Sequence, residues 1–234
     1  MRGYVANRSS GGGATVSVER IDITGDPPVR GALHPAASSG ADGLVLTHGA
    51  GGNADAALLV AVAEAFSARG VAVLRSDLPY RQARPRGGPS PAGAARDREG
   101  LRAALGVLRE RVSGRLFLGG HSYGGRQASM LLAAEPALAG ALLLQSYPLH
   151  PPGRPRDLRI AHLPDLRVPT LFVSGTADPF GSLAELDKAR ELIPGRTAML
   201  TVSGGHDLGW SGKRRDATLP GRIAEAFLEL AGPS

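Results

Sequence analysis

Residues Leu116 to Arg126, reading LFLGGHSYGGR, constrain this 234-residue chain more than any other stretch. An apolar run of strand length stops at Gly120-His121-Ser122-Tyr123-Gly124. The next run, Gln127 to Ala134, is rich in helix formers and mostly apolar. The five central residues fit G-x-S-x-G, a sharp strand-to-helix turn with a serine at its apex. A side chain two positions before or after that serine would crowd the chain, and glycine has no Cβ to do so. The Ser122 hydroxyl then stands exposed above a sheet, with a helix N-terminus beneath it. A serine N-cap on an ordinary loop would use the same residue. The order of buried strand, tight turn and buried helix selects the first reading.

Composition bounds the rest. The length suits one well-buried domain, with residues 1–14 as a disordered Arg/Ser/Gly-rich tail and residues 15–234 as the folded unit. There is no cysteine, so neither a disulfide framework nor a thiolate metal site is available. The first residues lack the apolar core of a signal peptide, and no apolar run has the length of a membrane span. A cytoplasmic protein with no membrane partner is expected. Net charge is +6, which raises the question of nucleic acid. The arginines are scattered, however, and aromatic residues make up only 4%, too few for a base-stacking platform. No nucleic-acid partner is expected. The densest basic cluster, Arg81 to Arg86, lies in a Pro/Gly-rich stretch and reads as a solvated loop rather than an anion site.

Short apolar strands alternate with longer helical patterns, which predicts an α/β fold with a mostly parallel sheet and helices on both faces. Strands are expected at 15–23 and 28–34, as an antiparallel pair leading into the sheet. Others are expected at 43–47, 71–77, 115–119, 139–144, 169–174 and 197–202. Helices are expected at 54–69, 91–111, 126–134, 182–192 and 219–230. The proline-rich segment 147–168 breaks this rhythm. It is too short for a cap domain and reads as a loop, with one short helix, covering part of a pocket.

A serine hydroxyl needs a base to remove its proton and a carboxylate to orient that base. In α/β-hydrolases, whose nucleophile elbow is G-x-S-x-G, the chain order is Ser, acid, His. His206 follows the last strand in Ser203-Gly204-Gly205-His206, where two glycines make a flexible turn. His150 and His162 fall in the proline-rich segment, before any suitable acid. Asp178 follows the strand at 169–174 directly and precedes Pro179. The turn after the strand at 139–144 has no carboxylate, and Asp207 adjoins His206 too closely to orient it. The triad expected is therefore Ser122, Asp178 and His206. Oxyanion donors are expected from the backbone N–H of Tyr123 and of Ala50, with Gly51 the near alternative. The stretch Gly49-Ala50-Gly51-Gly52-Asn53-Ala54, with Asp77 ending the next strand, also fits a dinucleotide-binding turn. That alternative leaves the elbow, Asp178 and His206 without a role.

Taken together, these residues resemble an α/β-hydrolase without a separate cap domain, near dienelactone hydrolase. More closely, the chain resembles a bacterial family related to the hydrolase-like domain of a eukaryotic chromatin-complex subunit. The matching blocks are Leu46 to Gly52, Arg75 to Tyr80, Gly119 to Met130, Tyr147 to Gly153, Ala161 to Leu163 and Pro169 to Gly181. The resemblance implies the fold and the triad Ser122–Asp178–His206, position by position. The expected activity is hydrolysis of a small carboxylic ester or thioester through an acyl-enzyme on Ser122, with no cofactor and no metal. A non-catalytic scaffold of the same fold, binding a ligand or protein partner, is the alternative.

Overall fold

The computed structural model describes residues 17–36, 41–211 and 215–232. The tail assigned to residues 1–14 lies outside the described residues. Eight strands form one sheet: β1 (Glu19–Ile23), β2 (Val29–His34), β3 (Gly43–Thr47), β4 (Ala72–Ser76), β5 (Leu116–His121), β6 (Leu142–Gln145), β7 (Thr170–Gly175) and β8 (Thr197–Val202). Their order across the sheet is β1-β2-β4-β3-β5-β6-β7-β8. β1 pairs with β2, and β2 with β4, in antiparallel fashion; every later pairing is parallel.

The helices are α1 (Ala57–Ser67), α2 (Pro79–Ala83), α3 (Ala94–Arg109), α4 (Tyr123–Ala134), α5 (Leu183–Arg190) and α6 (Leu219–Ala231). Strand alternation assigns them to faces. On β3, Leu44 and Leu46 join one core and Val45 the other. On β5, Phe117 joins the first, and Leu116 and Leu118 the second. The first core contains α1 and α6 side chains, including Leu59, Phe66, Ile223 and Phe227. The second contains Leu101 and Leu105 of α3, Leu131 and Leu132 of α4, and Leu186 of α5. Strands covered on both sides need apolar residues at every position, which is why the central strands read as continuous runs without polar alternation.

Three expectations change. The helix expected over 91–111 is a 3-10 turn at Pro91–Gly93 followed by α3. The stretch at Arg81 is not all solvated loop: Pro79 opens the short helix α2, which buries Tyr80 and Arg81. The proline-rich segment contains only a 3-10 turn, Leu163–Asp165. Among the described residues, no helix is long and apolar enough to cross a membrane.

Candidate active site

Parallel strands leave their connecting loops at the carboxyl edge of the sheet, where ligands bind in open α/β folds. The loops after β3, β5, β7 and β8 meet there. Ser122 sits between β5 and α4 with φ 50° and ψ −116°, a left-handed conformation that costs a non-glycine residue energy. Its surroundings over-determine it. The Ser122 N–H donates to the Gln145 carbonyl at 2.8 Å. A Cβ on Gly120 would lie 2.7 Å from Gly124 C, and one on Gly124 would lie 2.4 Å from the His48 carbonyl oxygen. The two motif glycines thus let the turn close on itself and on the β3 loop.

The structure brings the three sequence-predicted side chains together. Ser122 Oγ lies 2.7 Å from His206 Nε2. His206 Nδ1 lies 2.8 Å and 3.0 Å from the two Asp178 carboxylate oxygens. With a carboxylate accepting at Nδ1, the ring carries its proton there and presents Nε2 as the acceptor for the serine hydroxyl. The Asp178 side chain is 2% exposed and that of His206 22%, so the carboxylate is sealed behind an imidazole that faces solvent. Asp178 Oδ1 also accepts the Phe180 N–H at 2.9 Å, and the Phe180 ring stacks on His206 with centroids 4.1 Å apart.

The turn that contains Gly204 and Gly205 is tied to its neighbours. The Gly204 carbonyl accepts the Ala177 N–H at 2.9 Å, tying the histidine loop to the Asp178 turn. A Cβ on Gly175 would lie 2.3 Å from the Gly205 carbonyl oxygen. A Cβ on Gly204 would lie 2.4 Å from Gly209 N, so close packing requires glycine at that position. The other histidines and Asp207 are occupied elsewhere. His162 Nε2 is 2.7 Å from Ser129 Oγ, and His150 lies 3.6 Å from Glu185. Asp207 accepts the Gly209 and Ser211 N–H groups. Asp77 accepts the Ala54 N–H at 2.7 Å, so its carboxylate shapes the β3–α1 loop rather than reaching for a ribose.

Sequence reading missed a set of supporting residues. His121 fills an unspecified position of the elbow motif, yet its Nε2–H donates to the His206 carbonyl at 2.9 Å. Burial is the main cause that pulls its pKa down to about 4, so it stays neutral. On the other side, the loop Gly49–Gly52 is held by its carbonyls. His48 Nδ1–H donates to the Gly49 carbonyl at 2.8 Å, while His48 Nε2 accepts the Leu78 N–H at 3.1 Å. The Tyr80 hydroxyl is shared between the Gly49 and Ala50 carbonyls, at 3.1 and 2.9 Å. Arg81 donates to the Ala50 carbonyl at 3.1 Å and to that of Gly52 at 2.8 Å. In a trans peptide the carbonyl and the following N–H point opposite ways. Fixing the Gly49 carbonyl on His48 and Tyr80 therefore aims the Ala50 N–H away from them.

A cavity of about 500 Å³ opens at Ser122 and His206, with Ala56, Leu58, Leu59 and Trp210 supplying an apolar wall. Its size is that of a small-molecule site.

Comparison with known proteins agrees with this architecture. A family model described as an alpha/beta hydrolase domain matches residues 40–232. The chain belongs to the alpha/beta-hydrolase domain family. Solved structures of similar fold include dienelactone hydrolase from Anabaena variabilis, at 22% identity and a TM-score of 0.72, covering 90% of this chain and 96% of that one. Est1E from Butyrivibrio proteoclasticus is 16% identical with a TM-score of 0.69, covering 90% and 98%. An alpha-beta serine hydrolase homologue from Coxiella burnetii is 16% identical with a TM-score of 0.70, covering 97% and 100%. At these identities the alpha/beta-hydrolase fold is what is shared.

Proposed function

We propose that this alpha/beta-hydrolase is a serine hydrolase that cleaves a small carboxylic ester or thioester through an acyl-enzyme on Ser122. The observation that carries the reading is the unbroken contact from Ser122 Oγ to His206 Nε2 and from His206 Nδ1 to Asp178, at 2.7 and 2.8 Å. It stands at the mouth of a cavity of about 500 Å³. In this reading His206 takes the Ser122 proton as the hydroxyl oxygen attacks the acyl carbon, and Asp178 stabilises the imidazolium that forms. The developing oxyanion is met by the Tyr123 N–H, the first of α4, and by the Ala50 N–H. The tetrahedral adduct collapses, and His206 returns the proton to the leaving alkoxide or thiolate. Water, deprotonated by the same imidazole, then attacks the acyl-enzyme and releases the acid. Two of the solved structures of similar fold are named as a dienelactone hydrolase and a serine hydrolase homologue, which is consistent with this chemistry.

Fluorophosphonate labelling, with mass spectrometry to locate the adduct, tests the reading. The expected result is one adduct on Ser122, absent in Ser122→Ala and lost or slowed at least about a thousandfold in His206→Ala. A folded protein with no adduct would replace the hydrolase by the non-catalytic scaffold.

A further inference from the structure

Ser122 has a second cavity on its other side. It holds about 340 Å³ and shares Ala50, Ser122 and Phe180 with the apolar one, so the serine stands where the two meet. Its character is different: Arg126, Gln127 and Arg159 contribute to its wall. Arg126 lies one helical turn after Ser122, on the same side of α4, and its N–H donates to the Ser122 carbonyl at 3.0 Å. Arg159 comes from the proline-rich segment and is anchored by its own backbone, whose carbonyl accepts the Tyr147 hydroxyl at 2.6 Å.

The Arg159 guanidinium donates to the Pro148 carbonyl at 3.2 Å, but among the described residues no carboxylate balances its charge or that of Arg126. Neither guanidinium forms an ion pair among the described residues. Arg126 Nε is buried without a hydrogen-bond partner. Gln127 is fully buried; Arg98 donates to its Oε1 at 2.9 Å, which leaves Nε2 as a buried donor with no acceptor. The nearby carboxylate of Asp97 is already taken by the Tyr80 N–H and the Tyr123 hydroxyl. Burial and then the Arg126 charge both pull the Arg159 pKa below its ordinary value. A buried amide donor and two half-buried like charges around one cavity are unfavourable when empty, and an anion accepting from them offsets that cost.

We propose that this cavity is a carboxylate subsite, formed by Arg126, Arg159 and Gln127, and that the substrate is an ester carrying a carboxylate on one side of the scissile bond and an apolar group on the other. This assignment rests on the serine-hydrolase reading and specifies its substrate class. Both guanidinium groups donate to the carboxylate, which places the scissile carbonyl at Ser122 while the apolar portion enters the cavity lined by Leu58, Leu59 and Trp210.

Three esters of matched length test it. Phenyl hexanoate is neutral, monophenyl adipate carries its carboxylate on the acyl side, and 4-carboxyphenyl hexanoate carries it on the leaving group. The expected result is that kcat/KM for one charged ester exceeds that for phenyl hexanoate by about tenfold to a hundredfold, the range for hydrogen bonds to a charged group. Which of the two charged esters is favoured identifies the side of the bond that the arginines read. That ratio falls toward one in Arg126→Met and Arg159→Met, is partly restored in Arg126→Lys, and is unchanged in Arg111→Met, a surface control. Added salt lowers it in the wild type. Hydrolysis of phenyl hexanoate as fast as both charged esters, or a preference that survives both methionine variants, overturns the assignment while leaving the hydrolase intact. If no ester is turned over and Ser122 takes no fluorophosphonate, it is the hydrolase reading that fails. Calorimetric binding of monophenyl adipate then decides the subsite: binding weakened in Arg126→Met supports it, and no binding to the wild type overturns it.

Discussion

A glycine at the elbow carries more structural weight than its size suggests. A Cβ on Gly124 would meet the His48 carbonyl oxygen at 2.4 Å and Thr47 Cγ2 at 2.6 Å. Backbone cannot rotate aside as a side chain tip can, so Gly124→Ala must push the β3 loop away from the elbow. The expected loss is about 1–3 kcal/mol, typical of overpacking. Gly51 is the contrast, since a Cβ there meets nothing within 4 Å. Gly51→Ala is expected to change stability by less than about 0.5 kcal/mol, as for an ordinary surface substitution. Urea midpoints of the two variants check both statements, and equal midpoints would refute the steric account.

Among the elements, α2 has an effect out of proportion to its five residues. It was not legible as a helix, because the Pro/Gly-rich stretch around it has no periodicity to detect. Its value lies in what it presents: the Tyr80 hydroxyl and the Arg81 guanidinium, both directed at carbonyls of the β3–α1 loop. Arg81 also donates to the Gly87 carbonyl at 3.0 Å, joining the β3–α1 loop to the stretch after α2 through one planar fork. Arg81→Met removes this clamp without touching the triad. In the proposed hydrolase the loop that carries the Ala50 N–H is then less firmly held, and kcat is expected to fall about tenfold to a hundredfold with KM little changed, somewhat less than for deleting an oxyanion donor outright. Steady-state kinetics on phenyl hexanoate reads this, and an unchanged kcat would mean that the loop holds its shape without Arg81.

Across the whole molecule, buried neutral histidines link stability to pH. His34 accepts from Arg75 Nε at 2.8 Å; burial, then the Arg75 charge, pulls its pKa from the ordinary 6.5 down to about 4. His121 is lowered to about 4, chiefly by burial. In the unfolded chain both take up protons near 6.5, well before the folded protein does. Between those values the unfolded state binds more protons, so stability is full above pH 6.5 and declines as pH falls toward 4. The slope is at most about 1.4 kcal/mol per pH unit for each histidine. Urea unfolding at pH 7.5, 6 and 5 should show a falling midpoint, and a flat profile would show that these rings are protonated at no cost.

What the sequence determined by itself was local. Apolar runs, helix periods and the glycine spacing around Ser122 are properties of neighbouring residues, so the strand–turn–helix unit, the mostly parallel sheet and its antiparallel lead-in were legible along the chain. The order of Ser122, Asp178 and His206, on the loops after β5, β7 and β8, was legible for the same reason, because a parallel sheet brings those loops to one edge. Distances across the sheet edge were not legible. His121 sits at an unspecified motif position, Arg81 in a stretch that reads as a loop, and Arg126 and Arg159 are 33 positions apart in sequence. Only the tertiary structure brought a guanidinium to the carbonyls of the β3–α1 loop and two others to the wall of one cavity. The partners of His121, Arg81 and Arg159 are backbone oxygens, groups that leave no residue-type signal in a sequence.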